Sequence, residues 1–73
     1  MIVGLFGEIA KAINKDYPTM YQATANAVGV TVVALRPMSI YHAAAFLENC
    51  ACVKGHGLKV AALEKFGIIT IRR

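Results

Sequence analysis

The chain has few of the side chains on which enzymes depend. It contains only four carboxylates, Glu8, Asp16, Glu48 and Glu64, none paired in sequence, and Ser39 is its only serine. Helix surfaces account for the carboxylates, and an N-cap accounts for the serine. No glycine-rich loop precedes a lysine and a hydroxyl residue at the spacing of a phosphate loop. Seventy-three residues also leave little room for a pocket with a supporting shell. The sequence therefore predicts a protein that is not an enzyme and has no cofactor.

Long apolar runs are also lacking, although 58% of the residues are hydrophobic. No run reaches the roughly 18 uncharged apolar residues that a membrane span requires. The longest, residues 23–35, contains Asn26 and two threonines. The apolar start, residues 1–7, lacks a basic leader and is followed by Glu8, which is not typical of a signal peptide. We therefore expect a cytoplasmic protein with no membrane partner.

Cysteine is scarce, and its spacing does not favour a metal site. Cys50 and Cys52, with His42 and His56, could supply four zinc ligands. Only one residue separates the cysteines, however, which is too few for a structural zinc knuckle, and on a helix their thiols point to different faces. We expect two small apolar thiols near a helix end, His56 on a solvated glycine loop, and no metal.

Hydrophobic periodicity predicts five short helices. Ile2, Phe6, Ile9 and Ile13 form one stripe of a first helix, which ends before Pro18. The other four helices are predicted from a capping box at Thr19 and Gln22, from N-caps at Thr31 and Ser39, and from a closing glycine. These four helices cover residues 19–28, residues 31–35, the segment from residue 40 to about 51, and residues 58–66 before Gly67.

The β-branched end, residues 68–73, predicts a short strand or wing. Its expected partner is the segment 30–34, which has a respectable strand sequence itself, so strand pairing there is the main alternative to a helix. No internal repeat is apparent. The fold prediction is a mainly α, compact small helical domain over residues 1–73, with a helix-turn-helix-like unit and a short C-terminal strand or wing.

The segment 24–35 carries the pattern of that unit. Ala25 is small enough for a second helix to cross over it, and Gly29 supplies a corner at which a positive φ angle is common. Val28, Val30 and Leu35 are expected to fill the angle between the helices. Such a wedge presents its second helix to the major groove of DNA.

Residues 21–35, Tyr-Gln-Ala-Thr-Ala-Asn-Ala-Val-Gly-Val-Thr-Val-Val-Ala-Leu, resemble the helix-turn-helix of small phage transcription regulators of the lambda Cro type. The resemblance implies that Thr24 and Ala25 pack under the second helix, that Gly29 makes the turn and that Leu35 closes the core. It covers about a fifth of the chain and implies transcription regulation through DNA binding.

The basic charge agrees with an anionic partner, since the net charge is +4 and the pI about 9.4. On the second helix, Thr31 and Arg36 can hydrogen-bond to base edges and Val32 can contact thymine methyl groups. Flanking cations are available for phosphate. The predicted DNA-binding residues are Thr31, Val32, Arg36, Lys11, Lys15, Arg72 and Arg73.

Protein binding is the alternative function. Large side chains enriched at interfaces lie at the predicted element boundaries, namely Tyr17, Met20, Tyr21, Met38 and Tyr41. If they form one exposed patch, the chain resembles small basic phage proteins that regulate or inhibit a host machine such as RNA polymerase by occupying its surface. A homodimer is a third alternative, since Cro-like regulators commonly pair.

Overall fold

A computed structural model describes residues 4–73, which form two helices and four strands rather than a helical domain. The elements are α1 Leu5–Asp16, β1 Tyr21–Ala25, β2 Gly29–Ala34, α2 Ile40–Glu48, β3 Lys59–Leu63 and β4 Ile68–Arg72, with a 3-10 turn at Glu64–Phe66. The prediction of a mainly α fold with a helix-turn-helix-like unit is therefore wrong. The four strands form one antiparallel sheet.

The first predicted helix is confirmed as α1. Ile9 and Ile13 are buried on one side of it, whereas Lys11 and Lys15 are exposed. The helix ends at Asp16, because Pro18 disfavours a helical conformation at the residue before it. Ile2, the first residue of the predicted stripe, lies outside the described residues.

The fourth predicted helix is confirmed as α2. The Ser39 hydroxyl accepts a hydrogen bond from the backbone N–H of His42 at 3.4 Å, as an N-cap does. Ala43 and Leu47 are buried on the side that faces the sheet. The helix stops at Glu48, short of the predicted end.

The helices predicted over residues 19–28 and 31–35 are wrong, because these segments form a β-hairpin. The side-chain oxygen of Asn26 accepts hydrogen bonds from the backbone N–H groups of Val28 and Gly29 at 2.9 and 3.0 Å, and the backbone N–H of Asn26 donates to the Gly29 carbonyl at 2.8 Å. An asparagine side chain that binds the backbone two and three residues on stabilises a tight turn. Gly29 is thus the first residue of β2, not a helical corner.

Gly29 is required for another reason than the predicted positive φ angle. It is not among the described glycines with a positive φ. A Cβ atom at this position would collide with the Ile71 carbonyl oxygen and lie 3.0 Å from the Arg72 Cβ atom. Glycine therefore allows β2 to approach β4 closely.

The fifth predicted helix, residues 58–66, is also wrong, since this segment forms β3 and the 3-10 turn. Gly67 ends the turn in the left-handed conformation, with φ 65° and ψ 30°, and leads directly into β4. The predicted C-terminal strand is therefore confirmed. Its predicted partner is confirmed as well, because Val30 pairs with Ile71 and Val32 with Ile69.

The strand order is β1-β2-β4-β3, and every neighbouring pair is antiparallel. One face of the sheet, the inner face, carries the buried strand side chains. Both helices pack on it, and with them it forms a single core of Ile9, Ala10, Ile13, Tyr21, Ala23, Val30, Val32, Ala43, Leu47, Cys50, Val53, Ile69 and Ile71.

The topology repeats, which the sequence analysis did not detect. A helix followed by a hairpin occurs twice, as α1-β1-β2 in the first half and α2-β3-β4 in the second half. The second strands of the two hairpins pair at the centre of the sheet, with Thr31 opposite Thr70. This arrangement is that of an approximate two-fold repeat about an axis through the sheet between these threonines. The expectation of no internal repeat is wrong at the level of topology.

Candidate functional site

The opposite side of the sheet, the outer face, carries no helix in the described part of the chain. Cross-strand partners in an antiparallel sheet share a face, and successive residues alternate between faces. Because Ala23, Val32 and Ile69 point into the core, the residues next to them in each strand point outward. The outer face thus consists of Gln22, Thr24, Gly29, Thr31, Val33, Lys59, Ala61, Leu63, Ile68, Thr70 and Arg72.

The register arranges these side chains in three rows with different chemistry. The middle row is small and mostly hydroxylic, because Thr24, Thr31, Thr70 and Ala61 lie side by side across the four strands. An apolar row lies on one side of it and a cationic row on the other. The apolar row consists of Val33, Ile68 and Leu63, with Gln22 at its margin, and the cationic row consists of Gly29, Arg72 and Lys59.

The apolar row is exposed and extends beyond the strands. Val33 and Leu63 keep 40% and 38% of their surface exposed. Leu35 continues the alternation of β2, since its N–H donates to the Met20 carbonyl at 2.8 Å, and it is 48% exposed. Phe66, in the turn that joins β3 to β4, is 70% exposed. Adjacent exposed apolar side chains of this kind are typical of a binding surface.

The cationic row is not balanced by acids on the same face. Arg72 and Lys59 are direct cross-strand partners, and both are exposed. All four carboxylates of the chain lie elsewhere: Glu8 and Asp16 in α1, Glu48 in α2 and Glu64 in the 3-10 turn. The outer face therefore carries two positive charges and no negative charge, and it favours an anionic partner.

The predicted DNA-binding residues do not lie on one surface. Thr31 and Arg72 are on the outer face, but Val32 points into the core and is fully buried. The prediction that Val32 contacts bases is therefore wrong. Arg36 is exposed beyond the end of β2. The remaining cations lie on the helical side of the molecule.

On that side, Lys11 and Lys15 are exposed on α1. The guanidinium of Arg73 lies 5.5 Å from the centre of the Phe6 ring, in the geometry of a cation–π contact. The helical layer thus separates these three cations from Thr31 and Arg72. A helix presented to the major groove is absent from residues 21–35, because these residues form the hairpin.

The residues predicted for a protein interface do not form one exposed patch either. Tyr21 is buried, and Tyr17, Met20 and Met38 are half-buried against the core. Tyr41 alone among the five is exposed, and its hydroxyl donates to the Glu64 carboxylate at 2.7 Å. Exposed apolar side chains also lie on α2 and in the first hairpin turn, but four of them, Val33, Leu35, Leu63 and Phe66, lie on the outer face or at its margin.

A shallow cleft of about 510 Å³ lies between α2 and the end of α1, lined by Tyr17, His42, Phe46, Asn49 and Cys50 among others. The Tyr17 ring packs edge-on against Phe46 at 5.2 Å, and Phe46 stacks on Tyr21 at 6.1 Å. The Cys50 thiol lies 4.0 Å from the Tyr17 hydroxyl and raises the pKa of that phenol. These contacts hold α2 against the first half of the molecule.

The thiols lie where the sequence predicts them, just after α2, with Cys50 buried and Cys52 half-buried. Burial and the neighbouring Cys50 raise the pKa of the Cys52 thiol, which therefore keeps its proton at neutral pH. His56 is exposed in the glycine-rich loop. Within residues 4–73, no group of three or more His, Cys, Asp or Glu side chains is placed to hold a metal ion.

Comparison of the chain with protein-family models, with curated proteins and with solved structures finds no match. Among the residues that the structure describes, no helix has both the length and the apolar character needed to cross a membrane. The outer face therefore has to be interpreted from its own chemistry.

The sequence contains a signal for this face that periodicity analysis missed. The central strands carry the same pattern, Val30-Thr31-Val32 and Ile69-Thr70-Ile71, in which an outward threonine lies between two buried aliphatic residues. Alternation of this kind is typical of a strand with one buried face. The two copies of the pattern indicate both the pairing of these strands and the threonine row.

Proposed function

We propose that this protein is a non-catalytic binding protein whose outer face docks on a partner protein and regulates it by occupying its surface. The observation that carries the proposal is the exposed apolar row beside two cations on a face without carboxylates. The matching partner surface has an apolar strip next to acidic side chains. The two free thiols fit the cytoplasmic location that we propose for this interaction.

A protein partner fits this face better than duplex DNA does. Neighbouring strands lie about 4.8 Å apart, so four strands span about 14 Å before side chains are added. The major groove is about 12 Å wide and admits a helix or a two-stranded ribbon. The flat outer face is therefore too wide to enter it.

Single-stranded nucleic acid is also a poorer match. Sheets that bind single strands use aromatic side chains on which the bases stack. The strand positions of the outer face carry threonine, aliphatic residues, glutamine, alanine and glycine beside the two cations, and Phe66 lies only at the margin. Aliphatic side chains beside arginine and lysine are more typical of protein interfaces.

A second copy of the chain is a poor match for the outer face. Two outer faces packed together would bury Lys59 and Arg72 of both copies against cations or against the apolar row. Neither arrangement supplies a carboxylate from the face itself, and an unpaired buried charge is costly. The face is therefore complementary to an acidic partner.

Two charge-matched variants test the proposal. The outer-face variant Lys59→Ala/Arg72→Ala and the helical-side variant Lys11→Ala/Lys15→Ala each remove two positive charges. Affinity purification from a bacterial lysate with each variant, followed by titration of the captured protein, should show loss of binding only for the outer-face variant. Amide shifts of Thr31 and Thr70 should move on binding of the purified partner to the wild type.

Titration with random-sequence duplex DNA at increasing salt tests whether the protein binds DNA instead of a protein partner. Binding of DNA at low salt that is steeply lost with salt, and equally weakened in the two variants, would contradict the proposal. Equal capture of the same protein by both variants would also contradict it, because the interaction would then depend on overall charge rather than on the outer face.

A further inference from the structure

The two edges of the sheet differ in their free backbone groups. The side chain of Asn14 accepts the N–H of Ala23 at 2.7 Å and donates to the carbonyl of Ala23 at 2.9 Å. Both groups of Ala23 therefore point away from β2. A single side chain of α1 satisfies the middle of the β1 edge, in the way that an added strand would.

The strand register determines which backbone groups of β3 point away from the sheet. Because hydrogen-bonded and free positions alternate along each strand, Ala23 facing outward makes Val32 pair with Ile69 by hydrogen bonds. Thr70 then pairs with Ala61. The N–H and carbonyl groups of Val60 and Ala62 are left pointing away from the sheet.

Within residues 4–73, no side chain or loop is recorded as a partner for these four groups. The inner-face side chains of Val60 and Ala62 are only half-buried, whereas Ala23, which the two-fold repeat relates to Val60, is 6% exposed. The β3 edge thus lacks both the hydrogen-bonding partner and the apolar cover that the β1 edge has. Such an edge is a template for another strand.

We propose that β3 pairs antiparallel with β3 of a second copy, about a two-fold axis at Ala61, to form a continuous eight-stranded sheet. In this register Val60 of each copy lies opposite Ala62 of the other. Each free N–H and carbonyl therefore meets its counterpart, and the four half-buried side chains cover one another. This self-complementarity is what an isologous dimer requires.

Charge favours the same register. Lys59 of one copy lies opposite Leu63 of the other, so that its aliphatic stem covers an exposed leucine and no two lysines are neighbours. A shift by two residues in one direction would place Lys59 opposite Lys65. A shift in the other direction would leave the outward groups of Ala62 opposite residue 58, outside the strand.

The experiment is sedimentation equilibrium over a range from micromolar to millimolar chain concentration, with two substitutions at the same residue. Ala62→Pro removes only an outward N–H, which an edge strand tolerates, whereas Ala62→Val keeps it. We expect the wild type and Ala62→Val to approach twice the 7.8 kDa chain mass at the highest concentrations. Ala62→Pro loses two hydrogen bonds across the symmetric interface, which should raise the dissociation constant about tenfold.

Equal association of Ala62→Pro and Ala62→Val, with both variants folded by circular dichroism, would overturn the proposal. A wild type that stays monomeric at millimolar concentration would overturn it as well. If Ala62→Pro does not fold, amide exchange of the wild type decides, because the Val60 and Ala62 amides should become protected as concentration rises. This dimer is independent of the proposed partner, because Arg72 belongs to β4 and does not border the second copy, so Arg72→Ala should still dimerise.

Discussion

The two halves of the molecule share one topology but differ in how completely they are covered. In the first half, a helix of 12 residues covers β1, and Asn14 satisfies the middle of the edge of that strand. In the second half, a helix of nine residues leaves the inner side chains of β3 half-buried and its edge free. The two halves therefore meet at the pairing of β2 with β4 but differ at their outer edges.

The aromatic residues help to explain this difference. Phe46 of α2 contacts Tyr17 and Tyr21, both of which belong to the first half. The helix of the second half therefore contributes its phenylalanine to the cover of β1 rather than of β3. Tyr17 adds an edge-on contact with Tyr21 at 6.2 Å. The first half is consequently the better-packed half.

Substitution of one inner-face residue at each edge should give the largest contrast. Tyr21→Ala removes a buried aromatic side chain and should lower the free energy of unfolding by about 3–5 kcal/mol. Val60→Ala, on the inner face of β3, should lower it by about 1 kcal/mol because Val60 is smaller and half-buried. Urea unfolding followed by circular dichroism measures both, and equal losses would show that the halves are equally packed.

Two asparagines provide a second contrast. Asn14→Ala leaves the Ala23 N–H and carbonyl without their partner and should cost about 1–3 kcal/mol. Asn49→Ala is the control, since the Asn49 side chain donates only to the Ala45 carbonyl of the adjacent helix at an exposed site, and it should cost less than about 0.5 kcal/mol. A free energy of unfolding that is unchanged in Asn14→Ala would refute the capping role of Asn14.

The two hairpin turns are stabilised by different residues, and substitutions in them should change the free energy of unfolding by less. The first turn depends on the Asn26 side chain, and the second on the left-handed conformation of Gly67. Gly67→Ala should cost about 1 kcal/mol, and Gly67→Asn should cost less, because asparagine tolerates this conformation better. Thermal unfolding of both variants tests the ranking, and a more stable alanine variant would contradict it.

The tyrosines should give the smallest effect, visible only at alkaline pH. The hydrogen bond with Cys50 raises the pKa of Tyr17, burial raises that of Tyr21, and the Glu64 carboxylate raises that of Tyr41 above the ordinary 10.0. The folded state therefore binds these protons more tightly than the unfolded state. Their contribution to stability is complete below pH 10.0 and is lost as pH rises through the raised pKa values.

Near-ultraviolet titration of the phenolates checks this expectation. Tyr41→Phe should remove the signal of the second half and leave two tyrosines that still ionise above pH 10.0. Ionisation of all three tyrosines at the ordinary value would show that the contacts around their hydroxyls do not persist in solution.

The sequence predicts the local features whose signal lies within one element. Both helices are predicted correctly. The stripe of Phe6, Ile9 and Ile13 and the proline that follows predict α1, and the Ser39 cap predicts α2. The β-branched C-terminal residues predict β4 and its partner strand. These features could be recognised because neighbouring residues determine them.

The rest depends on contacts between residues distant in sequence. Alanine-rich β1 and β3 have no strong strand propensity and become strands because β2 and β4 lie beside them. In the sequence, Gly29 resembles the glycine of a helix-turn-helix corner. Only the structure shows that glycine is needed there because the backbone of β4 lies against it. The outer face likewise follows only from the register, which brings Lys59 beside Arg72 and Val33 beside Ile68.

Amide hydrogen exchange of Ala23 and Ala62 at low concentration is the most direct test of the account. These residues lie in the same cross-strand row at the two edges of the sheet, but the Ala23 N–H donates to Asn14 and the Ala62 N–H has no partner within residues 4–73. In the dilute monomer, we expect Ala62 to exchange at least about tenfold faster than Ala23. Equal protection of the two amides in the dilute monomer would contradict it.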